Sequence, residues 1–381
     1  MANADAMLRA AKIAGGDESV KVIAVSAGGR VTEDEKPEKK VTDELIDAYS
    51  MFLKGVGERR IFSDLCVRLT RLTESLKIKF NVVDELMKIG REEELSSSSD
   101  FLISRGEYLY AKIFAALTVR PFVDSATIIR FGSDGKPDID FSRYLIREKY
   151  RETGGFVTGG FYGSDINGNA KLFPRGGGDI TGAILALSLG AEEYLNYTDV
   201  DGVLSFPPSL GKKIIENGFP HAVKPRPLRR ISFAQMEKLC DFSVNVLHPA
   251  SLTVLKNSGV PIRVKNTFNE YAAGTVVSEA DENADDYFFA VDKFGKMRDI
   301  ISEKRNESKL YDEFLKRAEK VAEEDDEIYY FSECEKSAEI VKNLLDCGRC
   351  GTFEPREGGI AAVKACEAEK TMKKIFYPFI I

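Results

Sequence analysis

Apolar positions along this chain fall into two kinds of run. Short aliphatic or β-branched stretches predict buried strands: Val20 to Val25, Thr127 to Phe131, Phe156 to Tyr162 interrupted by glycines, Glu192 to Tyr197, and Pro261 to Lys265. Longer patterns with helical spacing lie between them. Ala2 to Ile13 reads as one helix, and Val41 starts another with Thr42 placed as its cap. Helical patterns continue to Leu95, where Ser96 to Ser99 break the run, and Asp100 to Leu117 predicts a long helix. Further helices are expected at Ile180 to Leu189, at Ser232 to Leu239 and ending near Asn257 to Gly259, with a strand and turn around Val244 to Pro249. Strands alternating with helices predict an α/β fold with a mostly parallel sheet covered on both faces.

The pattern changes after Glu279. The acidic stretch Glu279 to Asp286 can bury little and reads as a linker. Beyond it, strands at Tyr287 to Val291, Glu327 to Phe331 and Gly359 to Ala365, with helices at Ser308 to Ala322 and Lys336 to Leu345, predict a small α+β unit. The expected division is therefore 1-280 and 281-381.

Composition narrows the function classes. At 43% hydrophobic and 30% charged, the 381 residues suit a soluble globular chain with a sizeable core. A net charge of -7 argues against nucleic acid or an anionic membrane as the main partner. No run is long enough to span a bilayer, and the N-terminus has no signal-peptide core, so a cytoplasmic protein is expected. The six cysteines are scattered, and Cys347 and Cys350 form a single CxxC without a second pair, so reduced thiols are expected.

Chemistry concentrates around Lys171 to Leu204. Gly176, Gly177 and Gly178 stand directly before an apolar helix, whose first N–H groups have no helical partner and attract an anion. Arg175 adds a forked cation, Asp179 opens the helix, and Thr198 to Gly202 forms the loop at a strand's carboxyl end, where ligands sit in open α/β sheets. Ser26 to Arg30 is a second small-residue loop after a strand. Gly106, inside the long helix, predicts either a close packing contact or a tolerated weak spot. Glu107 beside it is a surface charge or a carboxylate turned toward a charged ligand. There is no P-loop, no protein-kinase signature and no GxGxxG after a strand.

Taken in order, VSAG at 25–28, SRGE at 104–107, FPRGGGDITG at 173–182, TDVDGV at 198–203, VLHP at 246–249 and PIRVKNTF at 261–268 resemble the aspartokinases of the amino acid kinase family. The resemblance covers nearly everything up to Val277. It implies a three-layer α/β/α sandwich (the amino acid kinase fold) with a small C-terminal α+β ACT-like domain, degenerate or single. The implied activity is aspartate kinase, passing the γ-phosphoryl of ATP to the side-chain carboxylate of L-aspartate, the first step toward lysine, threonine and methionine. Mg²⁺ would be held mainly through the phosphates, with no protein metal site.

Carried over by position, Arg175 would hold a substrate carboxylate, Glu107 the ammonium, and Asp179 would orient the acceptor. Ser26, Thr42, Gly176, Gly177 and Gly178 would line the substrate site, and Thr198, Asp199, Asn245 and Val246 the nucleotide. His248 reads as structural. A homodimer and an amino-acid effector are further implications. The chain departs from the family pattern at Asn245, where many members have lysine, at Pro207 to Ser209 in place of Asp-Pro-Arg, and at Gly178 in place of serine. The family's opening strand with Lys-Phe-Gly-Gly is not represented after Met1, and the first strand is expected to be missing. These departures carry a second expectation, a catalytically impaired regulatory or binding subunit.

Overall fold

The computed structural model describes residues 3–29, 39–57, 60, 62–91, 98–174, 176–204, 227–241 and 246–279, together with four strands farther along. The chain divides into two compact units, Met1–Gly202 with Asn245–Glu279, and Val203–Val244 with Ala280–Ile381.

In the first unit, α1 (Ala4–Gly16) precedes β1 (Val22–Val25), followed by α2 (Val41–Phe52), α3 (Ser63–Ser75), α4 (Val82–Arg91) and the long α5 (Ser99–Thr118). Then come α6 (Ser125–Ile128), α7 (Ile139–Thr153), β2 (Phe156–Gly159), β3 (Tyr162–Ser164), β4 (Ala170–Leu172), α8 (Gly177–Leu189) and β5 (Tyr194–Thr198). The unit closes with α9 (Pro249–Leu255), β6 (Ile262–Asn266) and β7 (Thr275–Ser278).

β1 and β2 are parallel, Val22 opposite Phe156 and Val25 opposite Gly159, and Phe122 adds a parallel bridge to Val157. β5 and β6 are also parallel, Tyr194 opposite Ile262, while β7 runs antiparallel to β6. The unbroken apolar run of β1 has a physical reason. Ile23 and Val25 pack into a core built from α1 to α5, whereas Val22 and Ala24 face a second core with Ile180, Ile184 and Ile146. Phe156 and Val157 divide between the same two cores. A strand buried on both faces needs apolar side chains at every position.

Most predicted elements are present, with two corrections. Thr127 to Phe131 is not a strand: Ser125–Ile128 is a helical turn capped by Asp124, whose carboxylate accepts from the Ala126 N–H at 3.0 Å. Only Arg130 and Phe131 make isolated bridges. Thr42 is not the cap of α2 either, because the helix starts at Val41 after Lys40, which makes no side-chain cap. The helix of α7 and the strand of β7 lie where no element was expected. Gly106 is explained by close packing, since a Cβ there would sit 3.2 Å from Ala27 Cβ and 3.3 Å from Val41 Cγ1.

In the second unit, helix Phe233–Asp241 follows strand Arg230–Ser232. Two antiparallel pairs lie beyond the linker: Tyr287–Val291 with Met297–Ile301, a strand not expected, and Glu327–Tyr330 with Ala361–Lys364. The expected helices 308–322 and 336–345 and the linker 280–286 lie outside the described residues. Cys66 is a free thiol.

Candidate functional site

Three chain segments meet almost bare of side chains. β1 runs out into Ser26-Ala27-Gly28-Gly29, β2 into Gly159-Gly160, and α8 begins at Gly177. The Gly160 N–H donates to Val25 O at 2.9 Å. A Cβ on Gly160 would stand 3.0 Å from Gly178 Cα, and one on Gly178 would stand 3.2 Å from Ser26 Oγ. The start of α8, the positive end of its dipole, therefore lies at the carboxyl edge of the parallel strands β1 and β2. Gly176 caps α8 at φ 83 with no side-chain hydrogen bond, and a Cβ on it would fall 2.3 Å from the His248 ring. Conformation and space both require glycine at that position.

Two buried carboxylates flank this cradle. Glu107, on α5, is 6% exposed and accepts from the Ala27 N–H through Oε1 at 3.4 Å. Its Oε2 is buried and has no hydrogen-bond partner among the described residues. Burial pushes its pKa up to about 7, with the main-chain N–H groups pulling the other way. An orphaned carboxylate oxygen of this kind is completed by a cationic donor.

Asp179, in the first turn of α8, is served on both oxygens. Asn196 Nδ2 donates to Oδ1 at 2.9 Å and the His248 main-chain N–H to Oδ2 at 3.0 Å. Burial raises its pKa, against these two donors. His248 in turn caps α9, its Nδ1 accepting from the Ala250 N–H at 3.2 Å. The same residue thus starts one helix, holds Asp179 and fills the space beside Gly176. Its structural reading fits these contacts.

The predicted residues divide accordingly. Ser26, Glu107, Gly176, Gly177, Gly178 and Asp179 are brought together at this edge. Thr42 is half-buried in the first turn of α2, next to Val41, whose N–H donates to Gly28 O at 3.2 Å. Thr198 ends β5, two residues beyond Asn196, and the exposed Asp199 follows it; Thr198 O accepts from the Thr267 N–H at 2.8 Å. Val246 is half-buried, two residues before His248. Arg175 and Asn245 lie outside the described residues. Asn196 was missed by motif reading. Its signal was an amide in the middle of an otherwise β-prone run, which strands disfavour unless the group is partnered.

The site fits an anion and an ammonium side by side. Bare glycines and a helix start suit phosphate, and the Glu107 oxygen suits a cation. Among the described residues no group of three or more His, Cys, Asp and Glu side chains could hold a metal ion, and no helix is long and apolar enough to cross a membrane.

Comparison with known proteins agrees with this geometry. The model of the amino acid kinase family matches residues 1–266. Aspartokinase 3 of Bacillus subtilis is 28% identical over 280 residues, covering 70% of this chain and 59% of the relative. The chain thus spans about three-fifths of that relative's length. Among solved structures, aspartate kinase of Clostridium acetobutylicum superposes with a TM-score of 0.74 at 24% identity, covering 99% of this chain and 97% of the other. Aspartokinase III of Escherichia coli, solved with aspartate and ADP, gives 0.61 at 18% identity over 100% and 97% of the two chains. These likenesses establish the shared fold.

Proposed function

The chain belongs to the amino acid kinase family, and from that premise we propose that it is an aspartate kinase. Its substrates are ATP and L-aspartate, and its products ADP and 4-phospho-L-aspartate. A side-chain carboxylate oxygen of aspartate forms a bond to the γ-phosphorus while the bond from that phosphorus to the β–γ bridging oxygen breaks, the electron pair leaving with ADP. No covalent enzyme intermediate is needed, so positioning and charge neutralisation carry the rate.

The single observation behind this reading is the Glu107 Oε2, which has no partner among the described residues, beside the glycine cradle. Glu107 takes the substrate ammonium, and Arg175 takes a substrate carboxylate. Gly176, Gly177 and Gly178 let phosphoryl oxygens approach the start of α8, while Asp179, held by Asn196 and His248, orients the acceptor. Ser26 and Thr42 line the amino-acid side; Thr198, Asp199, Asn245 and Val246 line the nucleotide side. Mg²⁺ bound through the phosphates supplies charge neutralisation. Residues 281–381 form a single ACT-like regulatory region that takes an amino-acid effector, consistent with its two antiparallel strand pairs. The protein works in the cytoplasm as a homodimer, at the entry to lysine, threonine and methionine synthesis.

The test is ATP turnover with L-aspartate, trapping the acyl phosphate as a hydroxamate with hydroxylamine. Hydroxamate from aspartate but not from L-glutamate is the expected result; its absence with aspartate rejects the reading. Asn245 and Pro207 to Ser209, standing where related kinases carry cations, favour a second reading as a binding or regulatory subunit. Calorimetry that finds amino-acid binding without turnover would select it.

A further inference from the structure

Arg68, on α3, is 8% exposed, which is unusual for a charged side chain and calls for a reason. Its guanidinium reaches two main-chain carbonyls and one carboxylate. Nη2 donates to Gly29 O at 2.6 Å; Nη1 donates to Lys39 O at 2.7 Å and to Glu44 Oε1 at 2.8 Å. Gly29 and Lys39 flank residues 30–38, which connect β1 to α2. Ahead of Gly29 lie Ser26 and Ala27, the latter bonded to Glu107; behind Lys39 lies Thr42. The two arms are joined again by the Val41 N–H on Gly28 O. Ala27 and Val41 both pack on Gly106, one residue from Glu107.

We propose that Arg68 is a positioning residue for the amino-acid side of the site, a clasp that holds both ends of the β1–α2 connection so that the Ala27 N–H keeps its place at Glu107 and Thr42 its place in the first turn of α2. The assignment of that side to the amino acid rests on the function proposed above. The three acceptors are served from two separate terminal nitrogens held in one plane, whereas lysine offers its three donors from a single nitrogen at the end of a flexible stem, so lysine is not an equivalent. Burial opposes the charge of Arg68, and the Tyr110 oxygen and Glu44 more than offset it, leaving its pKa above the ordinary value. An apolar side chain on α3 would fill the same volume without the cost of burying a charge, so packing alone does not account for arginine here.

The test uses Arg68→Met, Arg68→Lys and Glu44→Gln in the full chain, with two readouts. In steady-state kinetics, Arg68→Met raises the KM for L-aspartate about tenfold or more, while kcat and the KM for ATP stay within about twofold; Arg68→Lys falls between, and Glu44→Gln, which leaves both carbonyl bonds, changes little. In amide hydrogen exchange, Arg68→Met speeds residues 26–29 and 39–45 and leaves α8 unchanged. Should Arg68→Met fail to fold, Arg68→Lys set against Glu44→Gln makes the same comparison. An unchanged aspartate KM, or equal losses for aspartate and ATP, overturns the positioning role. If the wild type does not phosphorylate aspartate, the proposed function falls, and the exchange data still decide whether the clasp exists.

Discussion

Glu107 and Asp179 are both buried carboxylates with raised pKa values, and in both burial is the leading cause. They differ in what surrounds them. Around Asp179 the fold supplies a donor for each oxygen, Asn196 on one side and His248 on the other. Around Glu107 the Ala27 N–H reaches Oε1 at 3.4 Å, and Oε2 has no partner among the described residues. A carboxylate that is fully served belongs to the scaffold that shapes the site, whereas one left half-served at a cost belongs to the ligand.

Substitutions should separate the two, and the largest effect belongs to Glu107. Glu107→Gln keeps the shape and removes the charge, so kcat/KM for aspartate should fall by about a hundredfold or more, which is about 3 kcal/mol of transition-state binding. Asp179→Asn comes next. The new amide turns one accepting oxygen into a donor that faces the Asn196 amide or the His248 N–H, costing about 1–3 kcal/mol of stability and lowering kcat about tenfold; an unchanged melting temperature would contradict this.

Stability against pH sharpens the contrast further. The Glu107 carboxyl titrates near 4.5 when unfolded and near 7 when folded, so between those values the folded state holds the extra proton. Its contribution is therefore full at low pH and is lost as pH rises toward about 7, amounting to about 3 kcal/mol without ligand. Glu107→Gln should accordingly raise the melting temperature at pH 8 and leave it nearly unchanged at pH 4, while abolishing aspartate affinity. A loss of stability at pH 8 would mean that Oε2 already has a partner. The smallest effect is expected for Gly106→Ala. Better helix propensity, about 1 kcal/mol, opposes crowding against Ala27 and Val41, so the net change in denaturant midpoint should be slight.

Much of this was legible in the sequence, for identifiable reasons. The apolar run of β1 and the glycine start of α8 are local signals, set by burial on both strand faces and by the absence of Cβ. The ordered motifs named the family before any contact was known. What could not be read is what depends on distant partners. Asn196 and His248 become site residues only because Asp179, 17 and 69 residues away, folds against them. Arg68 is one of many arginines until its two carbonyls are found 29 and 39 residues upstream. Ser125–Ile128 was misread because β-branched Thr127 and Ile128 suggest a strand, while the Asp124 cap and tertiary context favour a helical turn.

The central claim is that Glu107 waits, largely protonated below neutrality, for the ammonium of an amino acid. Proton release on L-aspartate binding tests it most directly, measured by calorimetry at pH 6.5 and 9 in buffers of different ionisation enthalpy. The account predicts release of a substantial fraction of one proton at pH 6.5, close to none at pH 9, and loss of the effect together with the affinity in Glu107→Gln. Tight aspartate binding with no proton released at pH 6.5, or binding unaltered in Glu107→Gln, would contradict it.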